Sequence, residues 1–303
     1  MIRRKSLWLK LYPGSIKGQA DSIIQNLESD NENFLSVLQT ISQFVHNTEL
    51  KGAAWESMKY HLGDHEAVIQ GFICANDSLI QGHEALKRTV GDENLDEEEL
   101  IAKRDAIMSA NAFLENTISL MQSNMQNDIM RTKYSFWYHE MISQYQISIN
   151  QNQTVIDELN EKIQKLYDIE NTTASLFSES ITLYDTVNEG IVAIQKSWNG
   201  TGFSVSLDTP DWKKTVQLRW NDRTEKLEKK MEEYVKKLKK KVPNITVKEW
   251  SELYELYQKN PNAEIPVDLL KEMLKNIGQI PNEIKDNMQM DIISKVFESG
   301  GDL

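Results

Sequence analysis

Residues 156–198 read IDELNEKIQKLYDIENTTASLFSESITLYDTVNEGIVAIQKSW. Within them Ile156, Leu159, Ile163, Leu166, Glu170, Thr173, Phe177, Ser180, Tyr184, Val187, Ile191, Ile194 and Trp198 step alternately by three and four. That spacing lays one stripe along an α-helix and is the seam of helices packed at a shallow angle. At about 1.5 Å per residue, a single helix over this stretch is roughly 65 Å long. Neither glycine nor proline occurs between Gly91 and Gly190, and no proline occurs between Pro13 and Pro210. Both residues penalise helix interiors, so their absence permits very long helices. A β-rich fold needs turn residues every 8–12 positions, and this span has none to offer. The expected fold is all-α: an elongated rod of long helices in hairpins or a bundle.

Upstream, Ile24, Leu27, Phe34, Leu38, Ile41 and Val45 repeat the three–four spacing, with Asn31 in one polar slot. A second run follows through Trp55, Met58, Leu62, His65, Ile69, Phe72, Asn76, Leu79, His83 and Leu86. Glu49 to Gly52 interrupts the two runs only briefly, which predicts an antiparallel hairpin or one kinked rod. After a turn at Gly91–Asn94, the acidic residues Asp96, Glu97, Glu98 and Glu99 suit a helix start, where they complement the dipole. Ile107, Leu114, Ile118, Met121 and Met125 continue as a stripe.

Past Trp198 the period changes to two. Phe203, Val205 and Leu207 alternate with polar residues, Asp208-Thr209-Pro210-Asp211 reads as a turn, and Val216, Leu218 and Trp220 alternate in return. This predicts one small β-hairpin near 203–220. A helix with Leu227, Met231, Tyr234 and Leu238 as its stripe follows. Its eight lysines between Lys226 and Lys241 are interleaved with Glu225, Glu228, Glu232 and Glu233, the pattern of a solvated face. Pro243 and the stretch 260–266 mark linkers, with short amphipathic helices beyond, including 267–277. At the other end, residues 1–14 open MIRRKSLWLKLY and close on Pro13-Gly14. They are too poor in apolar residues for a signal peptide and are expected to form a basic, poorly ordered arm.

Composition narrows the function. Of 303 residues, 34 are Lys or Arg and 46 are Asp or Glu, a net charge of −12. A general nucleic-acid binder needs a basic surface instead. One cysteine excludes an internal disulfide framework and a multi-Cys metal site. No run of about 18 apolar residues exists, so no transmembrane span is expected. His61 and His65 lie one helical turn apart with Asp64 between, but the HExxH order is absent and a structural role is expected. Cys74, between Ile73 and Ala75, reads as a small packed side chain. No Gly-rich phosphate loop or GxSxG elbow occurs. No histidine follows His139 and no cysteine follows Cys74. The last quarter thus lacks the usual general bases and nucleophiles, and neither enzymatic activity nor a cofactor is expected.

Polar residues interrupt the stripes: Asn31, His65, Asn76, His83, Glu170, Thr173 and Ser180. Such residues set register and oligomer state at a cost in stability. Two readings follow, a wet seam satisfied within the chain or a seam completed by another chain. The second makes Phe177, Tyr184, Val187, Ile191, Ile194 and Trp198 the expected partner-binding residues.

The stretch Leu50-Lys51-Gly52-Ala53-Ala54-Trp55-Glu56-Ser57-Met58-Lys59-Tyr60 resembles the signature of the LXG family, roughly LxGxAxxSxKxY. The continuation through His65, Ile69, Gly71 and Phe72, the last long helix and the Trp198–Trp220 segment are similar to that family as well. The resemblance covers about residues 15–220. It implies an N-terminal delivery domain of a polymorphic toxin, of the WXG-like group exported by type VII secretion in Gram-positive bacteria without a cleavable signal peptide. It also implies small WXG-like helical targeting partners encoded nearby, the secretion apparatus itself, and an immunity protein where a toxin domain follows. Leu50, Gly52 and Trp55 become the expected export motif. Residues 221–303 fit a charged helix and linker ahead of a toxin better than a complete toxin. A membrane-active helical toxin and a structural coiled-coil scaffold are the other classes compatible with the composition. The apolar stretch 67–75 is too short to span a bilayer, and the Leu-x-Gly corner weighs against a plain scaffold.

Overall fold

Pro13 opens the first helix, α1 (Pro13–Val45), where its missing N–H has no helical partner to lose. The computed structural model describes residues 8–49, 51–126, 128–198, 203, 208–242, 244–260, 265, 266, 269, 271, 272 and 275. After the corner at 46–52 comes α2 (Ala53–Thr89). Strand β1 (Lys10–Leu11) pairs antiparallel with β2 (Leu95–Asp96), Lys10 opposite Asp96 and Leu11 opposite Leu95. Asp96 then caps α3 (Glu97–Asn124), its carboxylate accepting from the N–H groups of Glu98 and Glu99. The acidic run therefore starts a helix, as its charge pattern predicts. The chain continues through α4 (Asp128–Thr173), α5 (Ser178–Gln195), α6 (Asp211–Lys239) and α7 (Val247–Lys259). In α7 Thr246 and Glu249 form a reciprocal capping box.

Two compact units are present, one built from 1–24 with 80–178 and the other from 25–79 with 179–303. In the first, α3 and α4 form an antiparallel hairpin whose base packs Leu100, Ile163, Leu166 and Ile169 against Leu11, Val90 and Leu95. In the second, α2, α5 and α6 bury Ala67, Val68, Val187, Trp212 and Val216. Its C-terminal part buries Met231, Val235, Leu238, Trp250, Leu253, Tyr254 and Leu269. No described helix is long and apolar enough to cross a membrane.

The all-α class holds, with three corrections in detail. First, residues 156–198 do not form one helix: α4 ends at Thr173, residues 174–177 turn, and α5 begins at Ser178. Serine and threonine hydroxyls compete for the carbonyls there. Thr173 Oγ1 donates to the carbonyls of Ile169 (2.8 Å) and Glu170 (3.2 Å), and Ser178 Oγ donates to that of Ser175 (2.8 Å). Gly82 supplies the space, since a Cβ there would lie 2.9 Å from the Phe177 ring and 3.0 Å from the Leu176 carbonyl. The seam also slips by one residue, so that Ile169 is buried and Glu170 is exposed.

Second, the two-stranded sheet is β1–β2, not a hairpin at 203–220. Val216, Leu218 and Trp220 lie within α6, where Leu218 is 70% exposed. Beneath the two-residue alternation, Trp212, Val216 and Trp220 step by four, and the helical period prevails. Val205 and Leu207 lie outside the described residues, while Phe203 makes an isolated antiparallel bridge with Trp198. Third, the described part of the N-terminal arm is ordered. Leu11 is buried, the Leu9 N–H donates to Glu97 Oε2 (2.9 Å), and Lys10 pairs with Asp96 (2.7 Å).

Candidate functional site

The α1–α2 corner owes its shape to Gly52, whose φ of +113° is one that L side chains rarely adopt. A Cβ there would meet nothing within 4 Å. Glycine is therefore required by the dihedral and not by a close helix approach. The Gly52 carbonyl accepts the Glu56 N–H (3.0 Å) to start α2. Trp55 tilts against Phe44 of α1 with ring centroids 5.9 Å apart. Leu50 lies outside the described residues.

Other residues of the motif stretch also act here. Lys59 Nζ donates to the Asn47 carbonyl (2.6 Å), tying the second turn of α2 back to the corner. Asn47 Oδ1 accepts the Glu49 N–H (2.8 Å). Ser57 Oγ reaches the Phe203 carbonyl at 3.5 Å, and Lys213 Nζ sits 5.7 Å from the centre of the Tyr60 ring. Sequence reasoning singled out Leu50, Gly52 and Trp55. Lys59 and Asn47, the pair that closes the corner, carried no signal beyond Lys59's place in the motif.

One turn further along α2, the two histidines meet. Ser197 Oγ donates to the Ile194 carbonyl (2.7 Å), so its oxygen accepts from His61 Nδ1–H (3.3 Å). His61 Nε2 is then bare and accepts from His65 Nε2–H (3.2 Å). Phe203 stacks on His61, with centroids 3.6 Å apart. Burial, then the neighbouring His65, holds the His61 pKa below its ordinary value and keeps the ring neutral. Asp64 is engaged by Lys213 (2.6 Å). No group of three potential metal ligands occurs among the described residues. Burial pushes the Cys74 thiol up to about 12, which suits a packed side chain and not a nucleophile.

The polar slots at Asn31 and Asn76 are bonded within the chain. Asn76 Nδ2 donates to Asn31 Oδ1 (2.9 Å), and Asn31 Nδ2 donates to Asp77 Oδ1 (2.9 Å). Tyr184 donates its hydroxyl to Asn76 Oδ1, and Arg223 Nε donates to Asp77 Oδ2 (2.8 Å). This chain of bonds runs from α1 through α2 to α5 and α6. The α5 stripe is likewise closed by α6. Val187 is fully buried, and Ile191 and Ile194 pack against the cluster holding Trp212 and Val216. Phe177 lies against His83, with centroids 4.8 Å apart. All six expected partner-binding residues thus have neighbours within the chain; Trp198, although 56% exposed, lies against Phe203 with ring centroids 5.2 Å apart.

This arrangement, long helices joined through a left-handed glycine corner, is that of an all-helical domain. The LXG domain of the WXG superfamily matches residues 14–206, and the chain belongs to that family. The match covers the glycine corner and both histidines and stops before α6 begins. No curated protein and no solved structure matches the chain. LXG domains form the N-terminal regions of polymorphic toxins associated with type VII secretion, as helical targeting domains and not catalytic ones.

Proposed function

We propose that this chain is the export and delivery module of an interbacterial toxin, recognised together with small helical partners by the type VII apparatus of a Gram-positive bacterium. It is made in the cytoplasm and exported from there. The observation that carries the reading is the corner at Leu50-Lys51-Gly52, inside the family match, where a dihedral open to glycine aims α2 back along α1. In this reading Leu50, Gly52 and Trp55 set the shape that the apparatus recognises, and Lys59 holds it. Residues 15–220 are the delivery domain, with 221–303 a charged helix and linker leading toward a toxin. The chain performs no catalysis of its own, a reading supported by the buried Cys74 thiol, which is pushed up to about 12.

Co-expression tests this reading. The small helical proteins encoded beside the gene should co-purify with the full chain in fixed stoichiometry. If neither neighbour binds the chain, the reading fails.

A further inference from the structure

Exposed aromatic side chains gather at the start of α4. Phe136 is 84% exposed, Trp137 53% and Tyr134 40%. Tyr138 joins them, its ring centroid 6.3 Å from that of Tyr134 and 5.4 Å from that of Trp137. Lys133 Nζ sits 5.3 Å from the centre of the Tyr134 ring.

Their places round the helix decide what they fit. At about 100° per residue, Tyr134 falls on the same side of α4 as Asn152, five turns further on. Asn152 donates to Asn111 of α3 (2.7 Å), so that side is the seam of the hairpin, where Asn111, Ile118 and Met121 are buried. Phe136 falls about 160° away from Tyr134, with Trp137 between them. The aromatic turn is therefore exposed on the side away from α3 and on the seam side as well, where the cover of α3 has ended. Charge is sparse around it. From Asn116 to His139 the charged residues are Asp128, Arg131 and Lys133, two basic against one acidic. The end of α3 adds only amides and a hydroxyl to the surface, at Gln122, Ser123, Asn124 and Gln126.

We propose that this end of the α3–α4 hairpin is a lipid-contact site, which enters the headgroup layer of a bilayer end-on and seats Tyr134, Phe136 and Trp137 at the boundary with the acyl chains. A protein partner covers one side of a helix and would leave either Tyr134 or Phe136 in water. Lipid surrounds an inserted end, so the spread of the rings round the helix favours lipid. Tyrosine and tryptophan combine an apolar ring with a polar tip, which suits the wet boundary of a bilayer. Lys133 extends its stem to keep its ammonium among lipid phosphates. The amides of the α3 end stay hydrogen-bonded in the headgroup layer, where a run of carboxylates would be repelled by anionic lipid. The contact is peripheral, since no described helix is long and apolar enough to cross a membrane. It needs no export apparatus and stands apart from the delivery reading.

The test uses the purified full chain and vesicles of phosphatidylcholine and phosphatidylglycerol in equal parts. Binding is read by co-sedimentation and bilayer integrity by an entrapped dye. The parent should sediment with the vesicles and release no dye. Phe136→Asp and Trp137→Asp stand at exposed positions and should leave the helical circular dichroism unchanged. Each should weaken binding by about tenfold or more, because a large ring is lost from the lipid and a charge is put in its place. Leu218→Asp, on α6 at a position 70% exposed, should bind like the parent. Cys74 is buried, so an environment-sensitive dye can be attached at Phe136→Cys, and its emission should move to shorter wavelength when vesicles are added. A parent chain that stays in the supernatant, aspartate variants that sediment like the parent, or an unchanged dye emission overturns the site. Dye release by the parent overturns the peripheral contact. A parent chain that is a dimer by light scattering, dissociated by the same substitutions, assigns the aromatic turn to a second copy and overturns the inference. Each of these failures leaves the delivery reading standing.

Discussion

Asn76 of α2 donates to Asn31 of α1 across 2.9 Å, and both are buried. The pair is the centre of the chain of bonds that reaches Tyr184 and Arg223. Asn76→Ala leaves Asn31 Oδ1 without its donor and Tyr184 without its acceptor. An unsatisfied buried polar group costs about 1–3 kcal/mol. Urea unfolding should show a loss in that range, and Tyr184→Phe, which removes only one bond, should lose about 0.5–1.5 kcal/mol.

Gly71 and Gly190 are where α5 and α6 close on α2. A Cβ at Gly71 would lie 2.6 Å from Val187 Cγ2, and one at Gly190 would lie 2.8 Å from the Trp212 ring. Gly71→Ala and Gly190→Ala should each destabilise by about 1–3 kcal/mol through overpacking. Val187→Ala should recover part of the Gly71→Ala loss in a double-mutant cycle and none of the Gly190→Ala loss.

At Gly52 the mechanism differs, so the size of the substituent should matter little. The strain lies in the backbone, about 1–3 kcal/mol for a residue held in a sparsely populated region. Gly52→Ala and the unbranched Gly52→Met should therefore lower the melting temperature by similar amounts. Both should reduce the amount of protein exported while cytoplasmic levels stay comparable. A much larger effect of methionine would point to packing instead.

The helices were legible because their signal is long and redundant. The stripes at 24–45 and 55–86 lie within α1 and α2, and the break at 46–52 coincides with their corner. The interruption at 174–177 was not legible, because no glycine or proline marks it. The hydroxyls of Thr173 and Ser178 and the close approach of Phe177 to Gly82, far away in sequence, produce it. The 211–220 alternation misled because ten residues hold too few repeats to separate a period of two from one of four. The α5 stripe was read correctly as apolar, but its cover, Trp212 and Val216, lies in the very segment misread as a strand.

The His61–His65 bond gives the chain a pH dependence of defined sign. The folded-state pKa of His61 lies below its ordinary 6.5. The stability it contributes is therefore fully present above that value and is lost as the pH falls through it toward the folded-state pKa. Asp64 and Lys213 face the pair as an ion pair, and Ser197 and Phe203 close its other sides. The urea midpoint should fall from about pH 7 to about pH 5 more steeply in the parent than in His61→Gln. An NMR titration should place the His61 midpoint below that of a histidine in an unfolded peptide.

Export itself is the most direct test of the central claim. The full chain is produced in its native host and in an otherwise identical strain lacking the type VII apparatus, and its amount in the culture medium is compared with its amount in the cells. The account predicts protein in the medium of the first strain, none in that of the second, and equal cytoplasmic levels in both. Equal amounts in both media, or retention in the cells of both, would contradict it.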